Sequence, residues 1–290
     1  MALHGLLLHQ QLLLLLIISA LRAASQSNSS CERKCGNVEI PKPFGTSWGC
    51  YHDESFFINC NNMSGIPKPH LAYSNIEVLN ISLDDGELLV ATPLTTRRCF
   101  NNFSSQSIWS KFPISYRKNT FIAVGCDIFA YVKASGIYPS ACISSCDSNS
   151  RKVKGPCNGK GCCETPISPT TQGLVNFSVE ISTFSQFSGM ESHDNSCVYA
   201  FVVKKEEFPS PSSDLQTLEY KSTVPVVLDW KIANYKTCKD ARNREGYACK
   251  ADHSECHNST NGPGYLCKCS LGFEGNAYIE NNCTGTANIY

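Results

Sequence analysis

Charge is scarce in this chain. Asp, Glu, Lys and Arg make up 17% of 290 residues, and 25 basic side chains cancel 25 acidic ones. General nucleic-acid binders are strongly basic, so that class is excluded. Glycine (19) and proline (14) are ordinary, which excludes collagen-like and low-complexity chains. Beyond the N-terminus no apolar run is long enough to span a bilayer, and Gly285–Tyr290 is not a hydrophobic tail, so neither a span nor a GPI signal is expected. Long helical periods with caps are missing. So is a G-x-S-x-G elbow. The adjacent acids Asp53-Glu54, Asp84-Asp85 and Glu206-Glu207 would face opposite sides of a strand, and His52, His70 and His193 stand alone. Glycoside hydrolysis needs two carboxylates positioned across one bond. The chain is therefore not expected to be an enzyme, and no cofactor is implied.

Cysteine is what the chain has in abundance. All 18 lie between Cys31 and Cys283, an even number that reads as nine disulfides in an oxidising compartment. Zinc is the rival, but Cys162-Cys163 and Cys267-x-Cys269 lack the usual ligand gap, and Cys142-x-x-x-Cys146 has no matching pair. No metal site is expected. The N-terminus agrees on compartment. Leu6–Leu8 and Leu12–Ile18 form an apolar core broken by His9-Gln10-Gln11, and small residues follow at Ala20, Ala23, Ala24 and Ser25. That is a secretory signal peptide over residues 1–25, cut after Ala24 or Ser25.

Seven N-x-S/T sequons begin at Asn28, Asn62, Asn80, Asn102, Asn176, Asn258 and Asn282. Roughly four are expected by chance from this composition. Two fall on alternating segments. In Leu174–Ile181, Val175, Phe177, Val179 and Ile181 share one face, opposite Asn176. In Ile76–Leu83, Leu79, Ile81 and Leu83 oppose Asn80. A glycan must point to water, so sequon and period-2 pattern choose the same wet face. Further strand candidates are Phe56–Cys60, Glu87–Thr92, Phe121–Cys126, Ile128–Lys133, Cys197–Val203 and Val224–Trp230, separated by turns such as Asp85-Gly86 and Ser135-Gly136. Short helical turns fit Lys204–Glu207 or Asp240–Arg244. The fold class is all-β: disulfide-rich secreted β domains followed by a small C-terminal module.

The neutral total hides a contrast. Residues 97–160 hold ten basic and two acidic side chains, whereas 26–96 and 161–235 are each net acidic. The basic residues group as Arg97, Arg98, Lys111, Arg117 and Lys118, then Arg151, Lys152 and Lys154. Trp109, Phe112 and Tyr116 interleave with the first group.

From Cys238 on, six cysteines fall in order at 238, 249, 256, 267, 269 and 283, and Cys267-x-Cys269 leads into Gly272-Phe273-Glu274-Gly275. This resembles an EGF-like domain. A segment this small buries too little apolar surface to fold without cross-links. The resemblance implies the pairs Cys238–Cys256, Cys249–Cys267 and Cys269–Cys283, and a tight turn at the glycines. Ala233–Thr237, before the first cysteine, lacks the carboxylate of calcium-binding relatives.

The opening Cys31-Glu32-Arg33-Lys34-Cys35-Gly36, running through Ile40 to Pro43-Phe44-Gly45, resembles the galacturonan-binding domain of plant wall-associated receptor kinases. The likeness continues through Trp48-Gly49-Cys50-Tyr51, Phe121–Cys126, Gly161–Pro166, Cys197–Phe201 and Val224–Trp230, and then enters the EGF-like module. The implied organisation is a galacturonan-binding-like domain over 26–146, an associated second cysteine-containing β region over 147–235, and the EGF-like module over 236–290. Full-length family members resemble this chain joined to a membrane span and a kinase, and the sequence contains neither. The resemblance implies a secreted apoplastic protein that binds pectin or oligogalacturonide, an acidic wall polysaccharide. Cationic candidates for the carboxylates are Arg97, Arg98, Lys111, Arg117, Lys118, Arg151, Lys152 and Lys154, with Trp109 and Tyr116 for sugar faces. The competing expectation is a protein-interaction module or soluble decoy pairing with receptor-kinase relatives.

Overall fold

A computed structural model describes residues 31–286 apart from 62–64, 73, 95, 100–101, 106, 147–155, 184–196 and 209–221. The signal peptide lies outside the described residues, as do Asn28 and Asn62. From Arg33 onward the chain forms one compact unit.

Three antiparallel sheets carry the fold. One five-stranded sheet orders Cys162–Pro166, Asn119–Val124, Val198–Lys204, Thr96–Cys99 and Asn102–Ser105. A four-stranded sheet orders Ile137–Ser144, Ile128–Ala134, Asn176–Thr183 and Ser107–Trp109. A second five-stranded sheet orders Thr223–Asp229, Glu87–Pro93, Glu77–Ser82, Lys68–Leu71 and Ile58–Asn61. Each draws strands from distant parts of the sequence. Asn119–Val124, for instance, sits between Cys162–Pro166 and Val198–Lys204.

The apolar runs explain the layering. Asn119–Val124 is buried at every position, as a strand covered on both faces must be. Phe121 and Ala123 enter the main core, while Ile122 and Val124 enter a smaller one. Val198–Lys204 divides in the same way, with Ala200 and Val202 on one side and Tyr199, Phe201 and Val203 on the other.

Several expectations need correcting. Asn176–Thr183 keeps its alternation, with Phe177, Val179 and Ile181 buried. The Ile76–Leu83 pattern does not hold, because the register shifts between Val78 and Asn80. A bulge adds one residue and resets the phase. Val78 is fully buried, but Leu79 is 40% exposed beside exposed Asn80. The start of Phe56–Cys60 is a 3-10 turn over Glu54–Phe56 capped by Asp53. Lys204–Glu207 forms a turn without helix. Helix appears at Cys238–Ala241 instead, where the Thr237 hydroxyl accepts from Asp240 N–H. The strand Ile137–Ser144 is hidden in sequence by Pro139. It is an edge strand, and Tyr138-Pro139 falls at a register shift against Lys133, where proline loses no ladder bond.

Disulfides staple the sheets. Described bridges outside the EGF-like module are Cys35–Cys60, Cys126–Cys146, Cys142–Cys163 and Cys157–Cys162. Within the module they are Cys238–Cys256, Cys249–Cys267 and Cys269–Cys283, the pairs that the EGF resemblance implies. Cys31, Cys50 and Cys197 are also disulfide-bonded. No described cysteine is free. Gly275 adopts φ +134°, and a Cβ there would stand 1.9 Å from the Asn282 carbonyl oxygen, so the final turn requires glycine.

The EGF-like module does not swing free. Ile232 and Tyr265 exchange two backbone hydrogen bonds of 2.8 and 2.9 Å. Asn261, 1% exposed, donates to the Ile114 carbonyl (2.9 Å) and the Asp229 carboxylate (2.6 Å), and accepts from Gly173 N–H (2.8 Å). Asn276 donates to the Lys42 carbonyl at 2.9 Å. Trp230, 1% exposed, packs on Phe44, Phe56 and Tyr278, and its indole N–H donates to the Ser82 carbonyl.

Candidate functional site

The stretch from Trp109 to Lys118 is set by its buried positions. Phe112 and Ile114 are in the core, and Ser110, Ile114 and Ser115 donate backbone bonds to Val175, Leu174 and Val227. Phe112, which interleaves with the basic group in sequence, instead packs edge-on against Phe44 and tilted against Phe56. Lys111, Arg117 and Lys118 are turned to solvent. Their chemical situations differ. Lys118 is held by Glu87 at 3.1 Å, which also raises its pKa. Arg117 donates to the Tyr116 hydroxyl at 3.1 Å and lies 5.4 Å from its ring centroid, a cation–π contact that leaves the guanidinium charge intact. Lys111 has no ion pair among the described residues.

Trp109 is 68% exposed, and its cross-strand partner is Asn176. Directly opposed residues share a face, with Cβ atoms roughly 4.5–5.5 Å apart. The indole therefore stands beside a sequon asparagine. Arg97 and Arg98 lie in the strand Thr96–Cys99 opposite Tyr199 and Val198, and their side chains lie outside the described ones. Arg151, Lys152 and Lys154 lie outside the described residues altogether. The acidic pairs have local work: Asp53 caps a turn, Asp85 accepts from Ser82, and Glu207 pairs with Lys204.

A second constellation was not legible in the sequence. A cleft of about 530 Å³ opens between the segment Lys42–His52 and the EGF-like residues Ala248, Lys250 and Tyr278–Glu280. Both walls are anchored. His52 N–H donates to Pro43, Lys250 N–H to Ala277, and Asn276 to Lys42. Lys42 and Lys250 both line the cleft and are exposed, and neither makes an ion pair among the described residues. Desolvation lowers the His52 pKa, with Lys250 adding to the effect against Asp53. At the rim, Trp48 is 83% exposed and meets Tyr51 edge-on at 6.2 Å. Lys42 and Lys250 lie far apart in sequence in two motif blocks, so no local pattern signals their meeting.

An all-β, cystine-stapled chain with a docked EGF-like module defines a class of extracellular recognition domain. Residues 31–92 match the family described as wall-associated receptor kinase galacturonan-binding, and residues 154–238 match the family described as wall-associated kinase. The chain belongs to the wall-associated receptor kinase ectodomain family. It is 38% identical over 270 residues to wall-associated receptor kinase 2 of Arabidopsis thaliana, covering 89% of this chain and 35% of that protein. Wall-associated receptor kinase 5 of the same plant is 36% identical over 284 residues, with the same coverage of both chains. Wall-associated receptor kinase 1 is 33% identical over 302 residues, covering 93% of this chain and 37% of the relative. The chain thus spans about a third of the length of these relatives. Neither matched family is a kinase domain. Among the described residues no helix is long and apolar enough to cross a membrane. No solved structure matches the chain.

Proposed function

We propose that this chain binds acidic plant cell-wall polysaccharide outside the cell, with de-esterified galacturonan as the ligand. One observation carries the reading: the segment matching a galacturonan-binding family displays an open indole, Trp48, and an exposed lysine, Lys42, without a carboxylate partner among the described residues. Galacturonan offers one carboxylate per sugar. Exposed ion pairs contribute only about 0–1 kcal/mol each, so several must act together along the polymer. Lys111 and Arg117 are available for this, and Arg97, Arg98, Arg151, Lys152 and Lys154 join them as proposed contacts. Lys118, occupied by Glu87, is the weakest member. Binding to oligogalacturonide is expected to fall steeply between low and moderate ionic strength and to be lost on methyl esterification. Isothermal titration at two salt concentrations measures this. Undiminished affinity for the esterified chain would overturn the reading.

The seven sequons enter the proposal as glycosylation sites. Asn258 and Asn282 use their carbonyl oxygens to accept from Cys238 and Asn276 N–H, while Nδ2, the atom that bonds a glycan, makes no hydrogen bond among the described residues. Beside Trp109, a glycan on Asn176 would lie within reach of the indole and compete with a wall sugar for it. Glycan release in heavy-oxygen water, followed by peptide mass spectrometry, is expected to mark Asn28, Asn62, Asn80, Asn102, Asn176, Asn258 and Asn282. Unmarked, unmodified peptides would exclude those sites.

A protein-interaction role is favoured by a separate feature. On the four-stranded sheet, Phe129, Tyr131 and Tyr138 form a contiguous aromatic row, with Tyr138 61% and Ile143 54% exposed. A receptor-kinase relative docked on this row would hold nearly independently of salt, the opposite of polyuronate binding.

A further inference from the structure

Resting on the galacturonan reading, we infer that the cleft between Lys42–His52 and the EGF-like module is a uronate-binding subsite, with Lys250 of the EGF-like module a ligand contact. The module is then part of the binding site, where a spacer would contribute nothing. Its size, about 530 Å³, lies within the roughly 300–1,000 Å³ of ordinary ligand clefts. The lining selects the ligand class. Lys42 and Lys250 both line the cleft, neither ion-paired among the described residues, and two ammonium groups suit a carboxylate. Tyr51 lines the cleft, and the Trp48 indole, outside the lining but in contact with Tyr51, adds a second ring for a sugar. Glu280, also on the wall, can accept hydrogen bonds from sugar hydroxyls, which a bare inorganic anion lacks. An acidic sugar satisfies all three features together.

The cleft is also built before the ligand arrives. Asn276 holds the Lys42 backbone, and the Lys250 backbone is held by Ala277. Holding both cations on fixed backbone reduces the ordering cost of binding.

His52 adds a pH signature. It lines the cleft with the titratable groups Lys42, Tyr51, Lys250, Tyr278 and Glu280, and Asp53 and Lys250 act on its charge. Its pKa is depressed when empty, so it is neutral at pH 7 and gains a proton only in acid. A bound carboxylate favours that proton. Affinity for oligogalacturonide should therefore rise as pH falls into the acid range below the ordinary imidazole value, and His52→Gln should flatten the slope.

The test is titration of the full chain with a short oligogalacturonide of defined length. Lys42→Glu and Lys250→Glu are each expected to weaken binding by about tenfold or more, and Lys250→Met by less. Lys250 is exposed, so folding is checked simply by thermal unfolding of each variant. If both reversals bind as tightly as the native chain while Lys111→Glu/Arg117→Glu does not, the cleft inference is overturned and the galacturonan reading stands. If the native chain binds no oligogalacturonide, both fall.

Discussion

Replacing Trp230 with alanine is expected to destabilise the whole unit by about 3–5 kcal/mol. Trp230 is where three parts of the chain meet: Phe44 and Phe56 from the N-terminal segment, the Ser82 carbonyl from a sheet turn, and Tyr278 from the EGF-like module. Alanine leaves an indole-sized void among rings that sit on separate loops and turns of the chain and cannot close together on it. It also orphans the Ser82 carbonyl. Trp230→Phe fills much of the void and loses only the hydrogen bond, so its cost should be markedly smaller. Urea unfolding with disulfides intact measures both. Equal costs for the two variants would show that the ring stack contributes little.

Asn261→Ala is expected to cost roughly 3 kcal/mol, because it strands the Gly173 N–H and the Ile114 carbonyl and takes one hydrogen bond from the Asp229 carboxylate, which keeps that of Ser115. Hydrogen exchange should show the loss first at the Ile232–Tyr265 rungs, before the sheets open. Asn261→Asp is a sharper test. Burial already raises the Asp229 pKa. A second carboxylate beside it pushes the pair further up. A carboxyl whose folded pKa is raised stabilises the fold while protonated, and that contribution is lost as pH rises through the raised value. The aspartate variant should therefore lie closest to native stability below about pH 4 and fall behind toward neutrality. A difference that does not change with pH would show that the two carboxylates do not share a buried site.

Much of the fold was legible because burial leaves a period. Phe177, Val179 and Ile181 alternate as a half-buried strand must, and the unbroken run at 121–124 marks a strand covered on both faces. The failures have particular causes. At Leu79 a bulge reset the phase. At Pro139 an edge position tolerated a residue that usually argues against strand. Of the cationic group, sequence proximity identified a solvent-facing stretch but not its pairing, since Glu87 reaches Lys118 from another strand. The cleft was invisible for a stronger reason. Its two lysines belong to motif blocks at opposite ends of the chain, and they meet only because Asn261, Asn276 and Trp230 dock the EGF-like module against the sheets.

That docking has a mechanical meaning. EGF-like units joined by loose tethers act as beads on a string and soak up tension by reorienting. Here the module is clamped by buried amides and a shared aromatic stack, so no slack lies between the sheets and Cys283. If the chain holds a wall polymer as proposed, a tug on it would reach the far end of the module as displacement, and the joint would work as a strut.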